Sequence, residues 1–175
     1  MPKVVDRQAI RRDLAARAVP LFRESGFHAL GMRGLASALG VSKGTLYHYF
    51  PSKQALFDAC FEVVMDLDVV PPPADASPGE RAAALVALAL AMEADFGGEL
   101  RLMLDYVSGL SAEEVRSDAS LGVALAGYRE AVAGIVGEER ADPALRQLLG
   151  VLIHRLFDGG STGMDSLQAF CSTVE

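Results

Sequence analysis

The sequence predicts an all-α protein. Apolar residues recur at intervals of three and four along every long segment, as on one face of a helix, and β-branched runs flanked by hairpin turns are missing. About half of the 175 residues are hydrophobic, 51% by count, which is enough apolar material for a buried core. We therefore expect a small three-helix module followed by an antiparallel helical bundle.

The amino terminus predicts a protein that stays in the cytoplasm. The first ten residues are charged and lack an apolar stretch followed by small residues, so no secretory signal is expected. The longest apolar run, 82–92, is shorter than the roughly 20 residues that a bilayer span needs. Cys60 and Cys171 are far apart and outside any Cys-x-x-Cys spacing, so we expect two reduced thiols and no metal or cofactor.

Charge is divided unevenly along the chain, whose formal net charge is −7. Residues 1–60 hold nine Lys or Arg against four acidic residues, a charge of +5. Residues 61–175 hold seven Arg against nineteen acidic residues, a charge of −12. Because phosphate is attracted to the basic end and repelled by the acidic remainder, any contact with nucleic acid is expected in residues 1–60.

Four helices are predicted in the basic part. The first begins after Asp6, a plausible N-cap, and ends at Gly26, which can adopt the left-handed conformation beyond a helix. Two short helices are expected over residues 32–39 and 43–49, and a longer helix over 52–67.

A proline run then predicts a break in the helical structure. Residues 69–76 contain three consecutive prolines, which lack N–H donors and prefer an extended backbone. Ser77 and Glu80 form the pattern of a capping box, so a helix is expected to begin there and to end near Phe96, before Gly97-Gly98. We place the domain boundary between residues 52 and 53, so that residues 1–52 form the small module and residues 53–175 form the bundle, joined by the 52–67 helix.

Four further helices complete the predicted bundle. They are expected over residues 99–108, 118–136, 143–158 after the N-cap Asp142, and 166–175 after the N-cap Asp165. One of them has an apolar stripe wide enough to require burial. The stripe consists of Leu145, Leu148, Leu149, Leu152, Ile153, Leu156 and Phe157.

The stretch 31–50 predicts a helix, a tight turn and a second helix. Gly40 permits a positive φ at the turn, Ser42 caps the second helix, and Leu46 and Phe50 face inward. The remaining residues of the second helix then face outward, as in a helix that enters the major groove of DNA. The alternative interpretation is a helical hairpin in a core with a solvated charged face.

The outward residues have the chemistry that DNA contact requires. A helix N-terminus with an adjacent lysine binds phosphate, a glycine permits close approach, and a threonine methyl can contact thymine. Tyrosine, histidine and lysine side chains can donate to phosphates. The residues expected to contact DNA are Arg33, Ser42, Lys43, Gly44, Thr45, Tyr47, His48 and Lys53.

The same stretch resembles the DNA-binding part of the tetracycline-repressor (TetR) family. The resemblance covers roughly residues 8–60 and departs at Gly31, where the family usually has a Thr or Ser that caps the first short helix and contacts a phosphate; Arg33 can substitute for that contact. The matching positions are Leu35, Ala36, Gly40, Val41, Ser42, Gly44, Thr45, Leu46, Tyr47, Tyr49, Phe50, Ser52, Lys53 and Leu56.

For the remainder of the chain the resemblance implies only a general plan: a helical body that binds a small molecule and dimerises through its last two helices. Plain core is the alternative interpretation of each residue below. Pocket candidates, which combine apolar bulk with a few polar tips, are Met92, Phe96, Leu100, Met103, Leu104, Tyr106, Val107, Tyr128 and His154. Dimer-interface candidates are Leu145, Leu149, Leu152, Leu156, Leu167 and Phe170.

The resemblance therefore implies a ligand-responsive repressor that binds a palindromic operator as a homodimer. The expected partners are double-stranded DNA, a small and largely apolar effector, and a second copy of the chain. An adaptor or activator of the same fold, without ligand-controlled release of DNA, remains the alternative. No enzyme is expected, because the sequence has no phosphate-binding loop, zinc-protease helix or nucleophile turn.

Overall fold

The computed structural model of the chain describes residues 6–64 and 70–172. These residues form helices and connecting turns without strands, so the all-α prediction is confirmed. A short 3₁₀ turn, Glu138–Arg140, lies between α7 and α8. The helices are α1 Arg7–Ser25, α2 Met32–Ala38, α3 Lys43–Tyr49, α4 Lys53–Val64, α5 Pro78–Ser108, α6 Ala112–Ser117, α7 Ala119–Val136, α8 Ala141–Asp158 and α9 Asp165–Ser172.

The chain divides into two compact units. In its described part, the first unit comprises residues 6–64 with 98–124, and the second comprises residues 70–97 with 125–172. Helices α5 and α7 each contribute residues to both units.

The first unit is built around buried aromatic rings. The Phe57 ring lies edge-on to Phe22, with 5.2 Å between the centroids, and 4.9 Å from the ring of Tyr106. Phe27 contacts the same cluster at 4.8 Å from Phe57. Such edge and tilted pairs add stability beyond the burial of area. The cluster therefore holds α1 and α4 against the carboxyl end of α5.

The predicted helix ends of the N-terminal part are confirmed. The Asp6 carboxylate accepts the backbone N–H of Gln8 at 2.9 Å and caps α1, and α1 ends at Gly26, which has φ +81°. Helix α3 has the predicted bounds. The predicted 52–67 helix is observed as α4 over Lys53–Val64, and its last three residues lie outside the described part.

The Ser77–Glu80 capping box is also confirmed. The Glu80 carboxylate accepts the Ser77 N–H at 2.7 Å, and Ser77 Oγ accepts the Glu80 N–H at 3.3 Å. Ser77 Oγ also lies 2.7 Å from the Glu80 carboxylate, and hydrogen bonds from the Ser77 hydroxyl and then from the Ser77 N–H hold the pKa of Glu80 below its usual value. Residues 70–77 before α5 are not helical, as the proline run predicts.

The predicted break at Gly97-Gly98 is wrong, because α5 continues through both glycines for 31 residues. Each glycine costs about 1 kcal/mol of helix stability relative to alanine, and tertiary packing outweighs that cost. A Cβ on Gly97 would lie 2.9 Å from Leu156 Cδ1, so this glycine permits α8 to approach α5 closely. The predicted separate helix over 99–108 is therefore the end of α5.

One helix is absent from the sequence prediction, and two predicted helix starts need correction. Helix α6 was not predicted, although Ser111 and Glu114 form a second capping box with hydrogen bonds of 2.8 and 3.3 Å. Helix α8 begins at Ala141 rather than Pro143, so Asp142 lies inside the helix and is not its N-cap. The Asp142 carboxylate accepts from Arg129 at 2.9 Å. Helix α9 begins at Asp165, so this residue lies inside the helix rather than at the predicted N-cap.

Both thiols are free and buried. Cys60 Sγ donates to the Ala15 carbonyl at 3.4 Å, and burial, assisted by the charge of Asp58, raises the pKa of Cys60 to about 12. Burial also raises the pKa of Cys171. Neither side chain is a reactive thiolate at neutral pH.

By length and mean hydropathy alone, α7 resembles a bilayer span, with a value of 1.2 over 18 residues. Core helices of water-soluble proteins have the same composition, and 39% of the α7 window is buried within the chain.

Candidate nucleic-acid interface

The turn between α2 and α3 fixes the direction of α3. Gly40 has φ +69°, and the N–H of Val41 donates to the Ala36 carbonyl at 3.0 Å. Leu35 and Leu46 are fully buried on the inner sides of α2 and α3. The two helices therefore share one apolar contact surface, and the opposite side of α3 faces solvent.

Ser42 begins α3 with its side chain. Ser42 Oγ accepts the N–H of Thr45 at 2.9 Å, as the sequence predicts for an N-cap. The same oxygen lies 2.8 Å from Thr45 Oγ1, so one of the two hydroxyls donates a hydrogen bond to the other. Both hydroxyls are thus bonded within the protein before any ligand is present.

The outward side of α3 is polar and exposed. Tyr47 is 42% exposed, and Lys43, Gly44, Thr45 and His48 are exposed as well. The Lys43 Nζ lies 5.5 Å from the centroid of the Tyr47 ring, within the range of a cation–π contact. These side chains have the exposure that contact with a duplex requires, and their binding to DNA stays a prediction.

Lys53 is half-buried and already has partners. Its Nζ donates to the Phe27 carbonyl at 2.8 Å and lies 4.3 Å from the centroid of the Phe27 ring. Lys53 therefore joins the start of α4 to the segment between α1 and α2. An ammonium has three donors, so a phosphate contact stays possible alongside this bond.

Helix α2 presents the other predicted contact, Arg33, which is exposed. Gly31 precedes α2 in an extended conformation and forms no side-chain cap. Nothing lies within 4 Å of the position that a Gly31 Cβ would occupy. The site therefore has open space where a Thr or Ser side chain would fit.

Three arginines of α1 that contact the helix-turn-helix were not predicted from the sequence. Arg7 Nη2 donates to the His48 carbonyl at the end of α3, at 3.2 Å. Arg17 donates to the Leu39 carbonyl in the turn. The Arg11 guanidinium lies 5.4 Å from the centroid of the Phe50 ring. In the sequence these residues contribute only to the positive charge. Arg7 and Arg11 are four apart and share one face of α1, whereas no spacing signal joins Arg17 to them.

The pocket candidates lie in both units. In the second unit, Met92 and Phe96 are buried, Tyr128 is half-buried and His154 is exposed. His154 lines an open groove of about 300 Å³. In the first unit, Tyr106 is buried, Leu104 is 59% exposed, and the others are half-buried. Those half-buried candidates are Leu100, Met103 and Val107.

Tyr106 belongs to a hydrogen-bond network inside the first unit. Its hydroxyl donates to Asp118 Oδ2 at 2.7 Å and accepts from Gln54 Nε2 at 3.0 Å. Gln54 Nε2 also lies 2.9 Å from Asp58 Oδ1 and 3.0 Å from Ser120 Oγ, so its two hydrogens are shared among three oxygens. Burial, followed by the hydrogen bond to Asp118, raises the pKa of Tyr106 to about 12. The network ties α4 to the end of α5 and the start of α7.

Among the dimer-interface candidates, three are already covered by their own chain: Leu145, Leu152 and Leu167 are at most 8% exposed. Leu149 is half-buried. Phe170 is half-buried as well, and the Arg140 guanidinium lies 4.6 Å from its ring centroid.

The far end of the α8 stripe is open to solvent. Ile153, Leu156 and Phe157 are 37%, 44% and 82% exposed. We call these three residues the exposed α8 stripe. An apolar patch of this kind is typical of a surface that binds another protein.

The N-terminal part of the sequence is similar to that of known regulators. Residues 14–60 match the family described as "Bacterial regulatory proteins, tetR family". The HTH-type transcriptional regulator RutR of Escherichia coli K12 is 35% identical over 63 residues, which are 36% of this chain and 30% of RutR. The matched segment thus spans less than a third of that curated relative.

Solved structures match nearly the whole chain. A TetR transcriptional regulator from Rhodococcus sp. RHA1 is 25% identical with a TM-score of 0.60, and the match covers 95% of this chain and 96% of the other. FadR from Bacillus subtilis, solved in complex with stearoyl-CoA, is 18% identical with a TM-score of 0.63 and coverages of 95% and 100%. The second likeness shows the fold alone.

Proposed function

Because this chain belongs to the tetR family of bacterial regulatory proteins, we propose that it is a sequence-specific DNA-binding transcriptional regulator. In this proposal a homodimer binds a palindromic operator and represses transcription until an effector binds. The domain of residues 1–52 contacts DNA, and residues 53–175 bind the effector and the second copy. The protein acts in the cytoplasm and catalyses no reaction.

The observation that carries the proposal is the exposed polar side of α3. It lies on the basic part of an otherwise acidic chain, and Tyr47 and His48 reach solvent there. The inner side of the same helix is fixed by the buried Leu46 and by Ser42. Binding in the major groove requires a well-fixed helix with a polar outer side, in a part of the protein that carries positive charge.

A homodimer follows from the size of the module and from the exposed α8 stripe. One helix-turn-helix contacts too few bases for specific binding, whereas two copies related by a twofold axis read a palindrome. The exposed stripe supplies apolar side chains that a second copy would cover, with Phe157 the most exposed. We therefore place the interface at Leu149 and the exposed α8 stripe rather than at Leu145, Leu152 and Leu167.

A small, largely apolar effector is the third part of the proposal. The FadR neighbour was solved with stearoyl-CoA, whose acyl chain is apolar, and this supports a pocket in the same fold. Effector binding would shift the population towards a form whose two α3 helices no longer match successive major grooves. An adaptor or activator without ligand-controlled release is the second candidate, favoured by the missing side-chain cap at Gly31.

Binding of random-sequence duplex DNA at several salt concentrations tests the proposal. Affinity is expected to fall linearly on a logarithmic scale as salt rises, with a slope of about −0.9 for each phosphate neutralised. Selection of the bound duplexes is then expected to give two inverted half-sites about one helical turn apart. Absence of salt-dependent binding would contradict the regulator, and a single unrepeated half-site would contradict the dimer.

A further inference from the structure

Several polar groups at the start of α3 and at the start of α4 are already bonded within the protein. Ser42 Oγ and Thr45 Oγ1 are joined by a hydrogen bond of 2.8 Å, and the same Ser42 oxygen accepts the Thr45 N–H. Lys53 Nζ donates to the Phe27 carbonyl at 2.8 Å. These bonds use part of the hydrogen-bonding capacity of each group and fix its orientation before a base approaches.

Lys43 is different, because it is the only Lys or Arg within α3 and forms no ion pair in the described part of the chain. Its ammonium lies 5.5 Å from the centroid of the Tyr47 ring. Residues four apart lie on the same face of a helix. The contact with Tyr47 therefore holds the ammonium near the Tyr47 ring, on the outward side of α3.

The position of Lys43 in α3 determines which part of the DNA its side chain can contact. In helix-turn-helix proteins the N-terminal residues of the second helix contact base edges in the major groove, and Lys43 is the first residue of α3. The next residue, Gly44, has no side chain, and a Cβ there would meet Ser42 Oγ at 3.7 Å and no other atom beyond the adjacent residues and the backbone of α3. The space beside the lysine is thus open to an approaching base edge.

Guanine is the base whose major-groove edge suits this ammonium. It presents two acceptors, O6 and N7, whereas adenine and cytosine present an amino donor and thymine presents a methyl group beside one acceptor. We propose that Lys43 contacts the O6 and N7 atoms of one guanine in each half-site and that Tyr47 is the positioning residue for its ammonium. The inference rests on the proposed DNA-binding function.

Selection of bound sequences from random duplex DNA tests the proposal with the full-length protein. The wild type is expected to select a guanine whose exchange for adenine lowers affinity about 5- to 150-fold. Lys43→Met keeps an unbranched stem without the charge, and we expect it to bind the guanine and adenine versions within about 2-fold of each other while other positions keep their preferences. Lys43→Arg, whose fork fits the same two acceptors, is expected to keep the guanine.

Two substitutions of Tyr47 test the positioning role. Tyr47→Phe keeps the ring and loses the hydroxyl, so the ratio of guanine to adenine affinity is expected to stay within about 2-fold of the wild type. Tyr47→Leu removes the ring, so that ratio is expected to fall towards the Lys43→Met value. Equal ratios in Tyr47→Leu and the wild type would overturn the positioning role.

Two outcomes separate this inference from the proposed function. If Lys43→Met weakens binding equally for every sequence and keeps the guanine preference, Lys43 contacts a phosphate and the inference is overturned, while the regulator stands. If the wild type binds no duplex in a salt-dependent manner, both the inference and the proposed function fail.

Discussion

The two ends of the chain bury their apolar residues with different completeness. In residues 1–60, the inward residues of the helix-turn-helix, such as Leu46 and Phe50, are fully buried, and the exposed side of α3 is polar. In the acidic remainder, the end of the α8 stripe leaves Phe157 82% exposed. The comparison teaches that the outward side of α3 suits a polar, anionic partner, whereas the exposed α8 stripe suits an apolar partner.

The largest expected effect compares two phenylalanines. Phe50→Ala removes a ring that is 0% exposed, and we expect a loss of about 3–5 kcal/mol in the free energy of unfolding. Phe157→Ala removes the same atoms from an exposed position and is expected to change it by about 0.5 kcal/mol or less. Urea unfolding, at a concentration where both variants are monomeric, measures both, and similar losses would contradict the comparison.

The next effect concerns self-association. Phe157→Asp places a charge in the exposed α8 stripe, so we expect the dimer dissociation constant to rise at least about 10-fold, or 1.4 kcal/mol. Leu90→Asp is the matched control, since Leu90 is 52% exposed on α5 in the same unit. Sedimentation equilibrium measures both constants. An unchanged constant for the Phe157 variant, or equal changes in the two variants, would place the interface elsewhere.

A smaller effect tests the basic surface. Arg33→Ala is expected to make the slope of log affinity against log salt less negative by about 1.8, because each of the two subunits loses one phosphate contact worth about 0.9. Arg116→Ala removes an exposed arginine from the acidic part of the chain and is expected to leave the slope unchanged. Fluorescence anisotropy of a labelled duplex gives both slopes. Equal slopes in the Arg33 variant and the wild type would show that Arg33 contacts no phosphate.

The smallest effect compares two glycines in the first unit. Gly98 lies inside α5, and a Cβ there would meet Arg23 at ordinary distances of 3.7–3.9 Å, so Gly98→Ala is expected to stabilise the protein by about 0.5–1 kcal/mol. Gly26 has φ +81°, and a Cβ would lie 2.8 Å from Asp105 Oδ2. Gly26→Ala is therefore expected to destabilise it. Thermal unfolding of the two variants checks that the changes have opposite sign.

The sequence allowed the helix-turn-helix to be predicted closely because its signals are local. Ser42 and Gly40 act within a few residues of themselves, and the bounds of α3 and the cap of α1 are as predicted. The capping box of Ser77 is another local pattern. Such interactions depend on spacing that the sequence displays directly.

The features that were missed depend on partners far along the chain. Gly97 lies inside a helix because Leu156, nearly sixty positions later, packs against it, and a local rule for glycine predicts the opposite. The bond of Lys53 to Phe27 and the bond of Arg7 to His48 have the same long-range character. Composition alone placed Tyr106 among pocket residues, whereas its hydroxyl is bonded to Gln54 and Asp118.

Hydrogen exchange of the full-length protein with and without its selected duplex tests the central claim most directly. Exchange protection on binding is expected across residues 31–53, which contain α2, α3 and the start of α4, because the duplex covers their outward side. No added protection is expected at the amides of α5, α7 and α8. Protection confined to those three helices, or none in residues 31–53, would contradict the assignment of the DNA-binding surface.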